Sequence, residues 1–331
     1  MLKFKSHLLS ILNLLLSSIL FVSVEIFLRR KINQKVKILK NFYYKKQDER
    51  EHIQNKKLLK IINYAYNNID FYKKFYDEQK VPISKIQTDI KYFNEFPFID
   101  KKILRENYYN FFSKEKKKTF SNCSNGTTGD AVRFFYDTHA ADFSSAVTIF
   151  CRNQNIKNLH KNVHFASLTE KEAGISKQDL VKSIIFNREN IFYKELSNEA
   201  LLKIYQNIKD IKPILIHAHP SVMFLLASFI SQNFSKKETE NLFNIFEPSG
   251  EVLQKYMAQK IINVFNCKIH NRYGLSEFGI VAYQFSSEKS HLEVINRCFK
   301  VEPHTTNVDI QNSEIVVTGL ENFYMPLIKY R

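Results

Sequence analysis

Residues 213–221 read Pro-Ile-Leu-Ile-His-Ala-His-Pro-Ser, an apolar, branched run that halts at a second proline. Pro213–Ala218 has the make-up of a buried strand, and Pro220 is tolerated only in the first turn of a helix, so the stretch predicts a strand followed by a helix over 219–232. Toward the C-terminus, Leu242–Phe246 is again strand-like, 251–265 helical and Cys267–Arg272 strand-like. Toward the N-terminus, Val132–Tyr136 and Asn162–Leu168 predict strands, with helices over 139–152 and 197–209. Connections of that length join parallel strands. The alternation predicts an α/β fold with mainly parallel sheets flanked by helices. The runs 291–295, 299–302, 307–311 and 314–318 follow one another with no helix between them, so an antiparallel β element is expected at the end. No internal repeat is visible.

A chain of 331 residues with 44% hydrophobic residues, only 7 Gly and 7 Pro, buries a large core and is neither disordered nor fibrous. Cys123, Cys151, Cys267 and Cys298 lack CxxC or zinc-finger spacing, which argues against a metal knuckle or a disulfide framework and fits a reducing cytoplasm. The formal net charge of +16 is concentrated at the N-terminus: residues 1–120 hold 26 Lys+Arg against 12 Asp+Glu, and the remainder 23 against 21. No nucleic-acid-binding motif accompanies that excess, so nucleic acid is not expected as a partner. An anionic membrane surface is the better candidate.

That surface is suggested by the uncharged stretch from Ser6 to Val24, flanked by Lys3 and Lys5 before it and Arg29, Arg30 and Lys31 after it. Ser6, Ser10, Asn13 and Ser17 recur on one side of a helix, so the segment is amphipathic over three turns. A helix packed on the protein's own core or lying on a membrane face, a true anchor, and a dimer interface all remain open, as does the oligomeric state. The expected organisation is a basic N-terminal helix over 1–40 and a helical subdomain over 41–120, with one long amphipathic helix over 47–78. An α/β nucleotide-binding core over 121–290 and the start of a β-rich subdomain over 291–331 follow. The expected location is the cytoplasm, with the inner face of the membrane as the alternative.

Ser124-Asn-Gly-Thr-Thr-Gly129 lies between two strand-like runs, Thr119–Cys123 and Val132–Tyr136. Gly126 and Gly129 let the backbone approach a ligand, and successive N–H groups with the hydroxyls of Thr127 and Thr128 can cradle phosphate oxygens. The same residues also make ordinary hairpin turns. His217 and His219 flank Ala218 at strand alternation, so they point to opposite faces and do not form a joint metal site.

Three further segments follow in order: Gly250-Glu-Val-Leu253, Asn271-Arg-Tyr-Gly-Leu-Ser-Glu277, and Glu314-Ile-Val-Val-Thr-Gly leading to Asn322-Phe-Tyr-Met-Pro-Leu-Ile-Lys-Tyr-Arg331. With the 124–129 loop, they make the sequence resemble the adenylate-forming (acyl-AMP) ligases. The likeness is to the phenylacetate–CoA ligase-related branch, which includes capsule-biosynthesis proteins and coenzyme F390 synthetases. The resemblance runs from about residue 47 to 331. It implies the N-terminal domain of an adenylate-forming enzyme and ATP-dependent activation of a carboxylic acid to acyl-AMP, set in capsule or other surface-polysaccharide biosynthesis. ATP and Mg²⁺ are the implied cofactors; CoA, a carrier thiol or a saccharide hydroxyl is the implied acceptor.

By the same resemblance, Ser124, Gly126, Thr127, Thr128 and Gly129 hold the phosphates, and Glu277 binds Mg²⁺. Gly250, Glu251, Tyr273 and Gly274 border the nucleotide, and Ser276 assists at the α-phosphate. His217 or His219 faces the acyl pocket. Asn125 and Asp130-Ala131 depart from the family pattern, as do Ser313 and Gly319. The family continues past Met325–Arg331 into a Thr-Gly-Asp segment whose carboxylate holds the ribose, then into a lysine-bearing C-terminal domain. The resemblance therefore predicts a shortened chain without either. A catalytically impaired nucleotide- or acyl-binding protein, or a membrane-associated scaffold, is the alternative to a working ligase.

Overall fold

The computed structural model describes residues 18–124, 131–154, 160–167, 183, 187–304 and 314–331. After a helix over 18–27, the main elements begin with α1 (Ile32–Tyr43), α2 (Gln47–Asn68), α3 (Asp70–Glu78) and α4 (Lys101–Glu106). Then come β1 (Thr119–Cys123), β2 (Arg133–Asp137), α5 (Thr138–Asn153), β3 (Asn162–Ala166), β4 (Arg188–Phe192), α6 (Asn198–Ile211), β5 (Leu215–Ala218) and α7 (Pro220–Asn233). The chain ends with β6 (Ile245–Pro248), α8 (Lys255–Phe265), β7 (Lys268–Ile269), β8 (Arg272–Leu275), β9 (Gly279–Tyr283), β10 (Glu293–Val294), β11 (Phe299–His304) and β12 (Glu314–Gly319). Two compact units share this chain. One comprises Met1–Arg29, Cys151–Gly274 and Ala282–Glu293; the other comprises Arg30–Phe150, Leu275–Val281 and Val294–Arg331.

The first unit is built on a five-stranded parallel sheet of order β4-β3-β5-β6-β7. Strand alternation sends Val163, Phe165, Ile216, Ala218 and Phe246 into an apolar core completed by α6, α7 and α8 through Ile208, Leu226 and Phe265. Each helix is bounded by local chemistry. Ser197 accepts a hydrogen bond from the Ala200 N–H at the start of α6, Pro220 occupies the first turn of α7, and left-handed Lys212 and Asn266 close α6 and α8. The other sheet face carries a polar row. His164 pairs in register with His217, and His217 with Glu247.

The second unit has an aromatic core. Phe71 stacks on Phe111 at 3.9 Å, and Tyr76 meets Phe96 edge-on. The buried Tyr72 hydroxyl donates to the Pro326 carbonyl at 2.8 Å and accepts from the Ile328 N–H at 3.0 Å, which ties the C-terminal segment to α3. β1 and β2 form an antiparallel hairpin. β11 and β12 form a second antiparallel pair, the antiparallel element expected near the C-terminus.

Several boundaries differ from the sequence reading. The single helix expected over 47–78 is two, broken at Ile69, whose backbone is extended (φ −122°, ψ 114°) and whose side chain is buried. Asn68 assists the break by bonding back to the Tyr64 carbonyl. The strand expected over Cys267–Arg272 is likewise two, because the Asn271 N–H and carbonyl both turn to Gln284. The helix expected from 251 begins at Lys255, since Gly250 holds a left-handed φ of +82°. β4 was not anticipated. The predicted strand at 307–311 lies outside the described residues, as does the N-terminal run through residue 17. Among the described residues no helix is long and apolar enough to cross a membrane.

Candidate functional site

The loop at 124–129 leaves β1 and returns as β2, so the hairpin fixes both of its ends. Ser124 is buried: its N–H donates to the Val132 carbonyl at 2.9 Å, and its hydroxyl accepts from the Val132 N–H at 3.0 Å. Gly126, Thr127, Thr128 and Gly129 lie outside the described residues. The same hairpin meets the 276–277 turn, for the Ser276 carbonyl accepts from the Tyr136 hydroxyl and from Asn122 Nδ2 at 3.4 Å. The base of the loop and the carboxylate of Glu277 are therefore neighbours within one unit.

Glu277 is half-buried. It accepts from the Tyr330 hydroxyl at 3.4 Å. Burial, together with the negative charge of Glu277, raises the pKa values of Tyr136 and Tyr330, so both stay protonated. No Lys, Arg or His pairs with Glu277 among the described residues. A carboxylate flanked by neutral hydroxyls and without a competing cation fits a hard divalent ion such as Mg²⁺, which takes oxygen ligands. Gly279, at φ +75°, completes this turn where a Cβ would stand 2.9 Å from Ser144 Oγ.

In the first unit, Tyr273 and Gly274 lie on β8, Tyr273 half-buried and Gly274 exposed. Gly250 follows β6 and is packed against His219: a Cβ added there would stand 2.4 Å from His219 Cε1. The Glu251 carboxylate accepts from the Ser221 N–H at 3.1 Å and the Ser221 hydroxyl at 2.9 Å. It thereby satisfies a free donor at the start of α7.

His217 belongs to a buried charge network that the sequence reading did not find. Glu247 is fully buried and takes two hydrogen bonds from Arg152, from Nε and Nη2, each 2.9 Å. Arg272 Nη1 adds a third at 3.1 Å and the Tyr283 hydroxyl a fourth at 3.4 Å. Although burial opposes ionisation, these partners hold the Glu247 carboxyl well below the usual range. His217 Nδ1 lies 3.1 Å from the Glu247 carbonyl and 3.2 Å from its carboxylate, two acceptors, so Nδ1 carries the hydrogen. Burial and the nearby Arg272 push the His217 pKa down to about 4, and burial beside His217 takes His164 down to about 3. Their rings stack at 5.0 Å. The row lies where strand order reverses between β3 and β5, the position at which parallel α/β sheets open a ligand crevice. His219, on the other side of Ala218, does not join it and sits 3.6 Å from Glu251.

No protein-family model matches the chain. Protein CapK of Staphylococcus aureus is 24% identical over 327 residues, 95% of this chain and 70% of the relative. A phenylacetate-coenzyme A ligase of Aromatoleum evansii is 25% identical over 298 residues, 86% of this chain and 66% of the relative. The chain thus spans about two thirds of the length of these relatives. Among solved structures, 2-hydroxyisobutyryl-CoA ligase in complex with 2-HIB-AMP and CoA matches with a TM-score of 0.67 at 17% identity, over 86% of this chain and 63% of that one. An open conformation of the same ligase matches with a TM-score of 0.64 at 16% identity, over 83% and 67%. Together with the parallel sheet and a loop base that meets the Ser276 carbonyl, these likenesses show the fold of the adenylate-forming ligases and a sequence similarity to their phenylacetate–CoA ligase-like branch.

Proposed function

We propose that the chain activates a carboxylic acid with ATP, the acid attacking the α-phosphate to give acyl-AMP and pyrophosphate. The observation that carries this reading is the hairpin contact bringing the base of the 124–129 loop to the turn of Ser276 and Glu277. Such a reaction creates little new covalent chemistry for a protein to perform, so positioning and charge neutralisation supply most of the catalysis.

In this reading the N–H groups and hydroxyls of 124–129, including Thr127 and Thr128, hold the triphosphate, and Ser276 lies beside the α-phosphate. Gly250, Glu251, Tyr273 and Gly274 border the nucleotide. Glu277 would hold Mg²⁺, which when bound neutralises phosphate charge. The neutral hydroxyls of Tyr136 and Tyr330 keep the turn in place without competing for the ion. His217 or His219 lines the acyl pocket. The acceptor of the acyl group is CoA, a carrier thiol or a saccharide hydroxyl; the CoA bound by 2-hydroxyisobutyryl-CoA ligase supports the first. A setting in surface-polysaccharide assembly rests on the resemblance to the capsule-biosynthesis branch.

Pyrophosphate exchange into ATP across a panel of carboxylic acids tests the activity. At least one acid is expected to stimulate exchange, and Glu277→Ala or the pair Thr127→Ala and Thr128→Ala to lower it about a hundredfold. ATP binding without exchange from any acid would instead indicate the impaired, binding-only alternative.

A further inference from the structure

An open concavity in the second unit lies at the end of the β1–β2 hairpin away from the 124–129 loop. Lys57, Lys60, Lys117, Lys118, His139 and Phe323 line it, with Asp137. Five residues of strand separate Lys118 from the loop, about 16 Å of extended chain. The concavity is therefore distinct from the candidate nucleotide site.

Its charge balance is lopsided. Four lysines line it against one acidic residue, Asp137, which is buried and already accepts from the N–H groups of Ala140 at 2.8 Å and Phe323 at 3.4 Å. Lys57 reaches Glu321 behind the concavity, but Glu321 is shared with Arg297 and with His139 Nε2 at 2.8 Å. One buried carboxylate thus serves several cations, and burial together with Arg297 pulls the Lys57 pKa below its ordinary value. Lys117 is fixed by the Tyr64 hydroxyl at 3.1 Å and by the exposed Glu115. Lys60 and Lys118 have no carboxylate partner among the described residues. Lys60 lies 5.4 Å and Lys117 6.0 Å from the centre of the Phe323 ring, which holds both ammonium groups at one wall.

Like charges gathered in a hollow repel one another and raise the local concentration of counter-ions. A ligand carrying two or more negative charges on compact oxygens would relieve that repulsion, and phosphate is the group that lysine ammonium recognises as a point charge. We propose that the Lys57/Lys60/Lys117/Lys118 concavity is a second anion site that takes a phosphate-bearing ligand, either a free phosphate compound or the headgroup of a phosphomonoester lipid. The site is independent of ATP activation.

Calorimetric titration of the full chain with inorganic pyrophosphate tests it, using Lys60→Gln/Lys118→Gln and Thr127→Ala/Thr128→Ala as the two comparisons. Lys60 and Lys118 are exposed, so their replacement leaves the fold intact, as an unchanged circular dichroism spectrum would verify. Loss of the two lysines is expected to weaken pyrophosphate binding about tenfold. The threonine pair is expected to leave a binding event of wild-type affinity. Absence of binding to the wild type, or binding abolished by the threonine pair and untouched by the lysine pair, would overturn the proposal. Equal weakening by both pairs would overturn it too. The lysine pair is expected to leave acid-dependent pyrophosphate exchange unchanged, so failure of this site and failure of the proposed activity are told apart. Flotation with phosphatidylcholine vesicles, with and without phosphatidic acid, separates the two sources: lysine-dependent flotation with phosphatidic acid assigns the lipid, and its absence with intact pyrophosphate binding assigns the free compound.

Discussion

Gly250 holds a φ of +82° with His219 pressed against it, and both facts bar a side chain at that position. Gly250→Ala should therefore destabilise the first unit by about 1–3 kcal/mol, the usual scale of left-handed strain plus a displaced neighbour, read as a fall in the urea midpoint without a change in slope. A different logic governs Glu247. Arg152→Met leaves a buried carboxylate with only Arg272 as a cationic partner and should cost about 3 kcal/mol. Arg152→Met combined with Glu247→Gln should cost more than the single substitution, because the buried Arg272 then loses its carboxylate partner and is left as an uncompensated cation. A double variant more stable than Arg152→Met would refute this account of the network. At this scale the sequence was unevenly legible. Gly250 and Glu277 sit in contiguous motifs that can be read directly. Glu247 lies in an apolar strand, and its cations come from positions 95 residues before it and 25 after it, a convergence that only folding reveals.

At the scale of elements, composition and periodicity located most strands and helices of the parallel sheet, because branched runs and proline stops are local signals. The readings that failed depended on distant partners. Ile69 breaks what looked like one helix because its side chain is drawn into the core. Asn271 leaves the sheet because Gln284, thirteen residues later, supplies its hydrogen bonds. The same dependence makes α3 an anchor for the end of the chain through Tyr72. Tyr72→Phe keeps the ring packing but strips the Ile328 N–H and the Pro326 carbonyl of their partner, so it should cost about 1–3 kcal/mol. Hydrogen exchange offers a local check: the Ile328 amide should lose protection by more than amides of α6 and α7, which Tyr72 does not touch.

For the whole molecule, the buried titratable groups make acid act differently on each unit. The first unit buries His164 and His217 as neutral rings, with pKa values of about 3 and about 4 against 6.5 for the unfolded residue. As the pH falls below 6.5, the unfolded chain takes up protons that the folded unit refuses, so stability declines until about pH 4 for His217 and about pH 3 for His164. Glu247, whose folded pKa is depressed, acts in the same direction at lower pH: its contribution is full above the unfolded value of 4.5 and is lost as the pH falls toward its folded one. The second unit buries Glu321 with a depressed pKa, but its shifted bases are lysines rather than histidines: Lys35, Lys57 and Lys329 are lowered chiefly by burial, and Lys117 is raised. Amides of β3, β5 and β6 should therefore lose exchange protection between pH 7 and 5 while those of α2 and α3 keep theirs, after correction for the intrinsic pH dependence of exchange. Replacing both histidines with glutamine should flatten the response of the first unit over that interval. Equal losses in the two units, or an unaltered response in the histidine variant, would show that the buried rings do not govern acid stability.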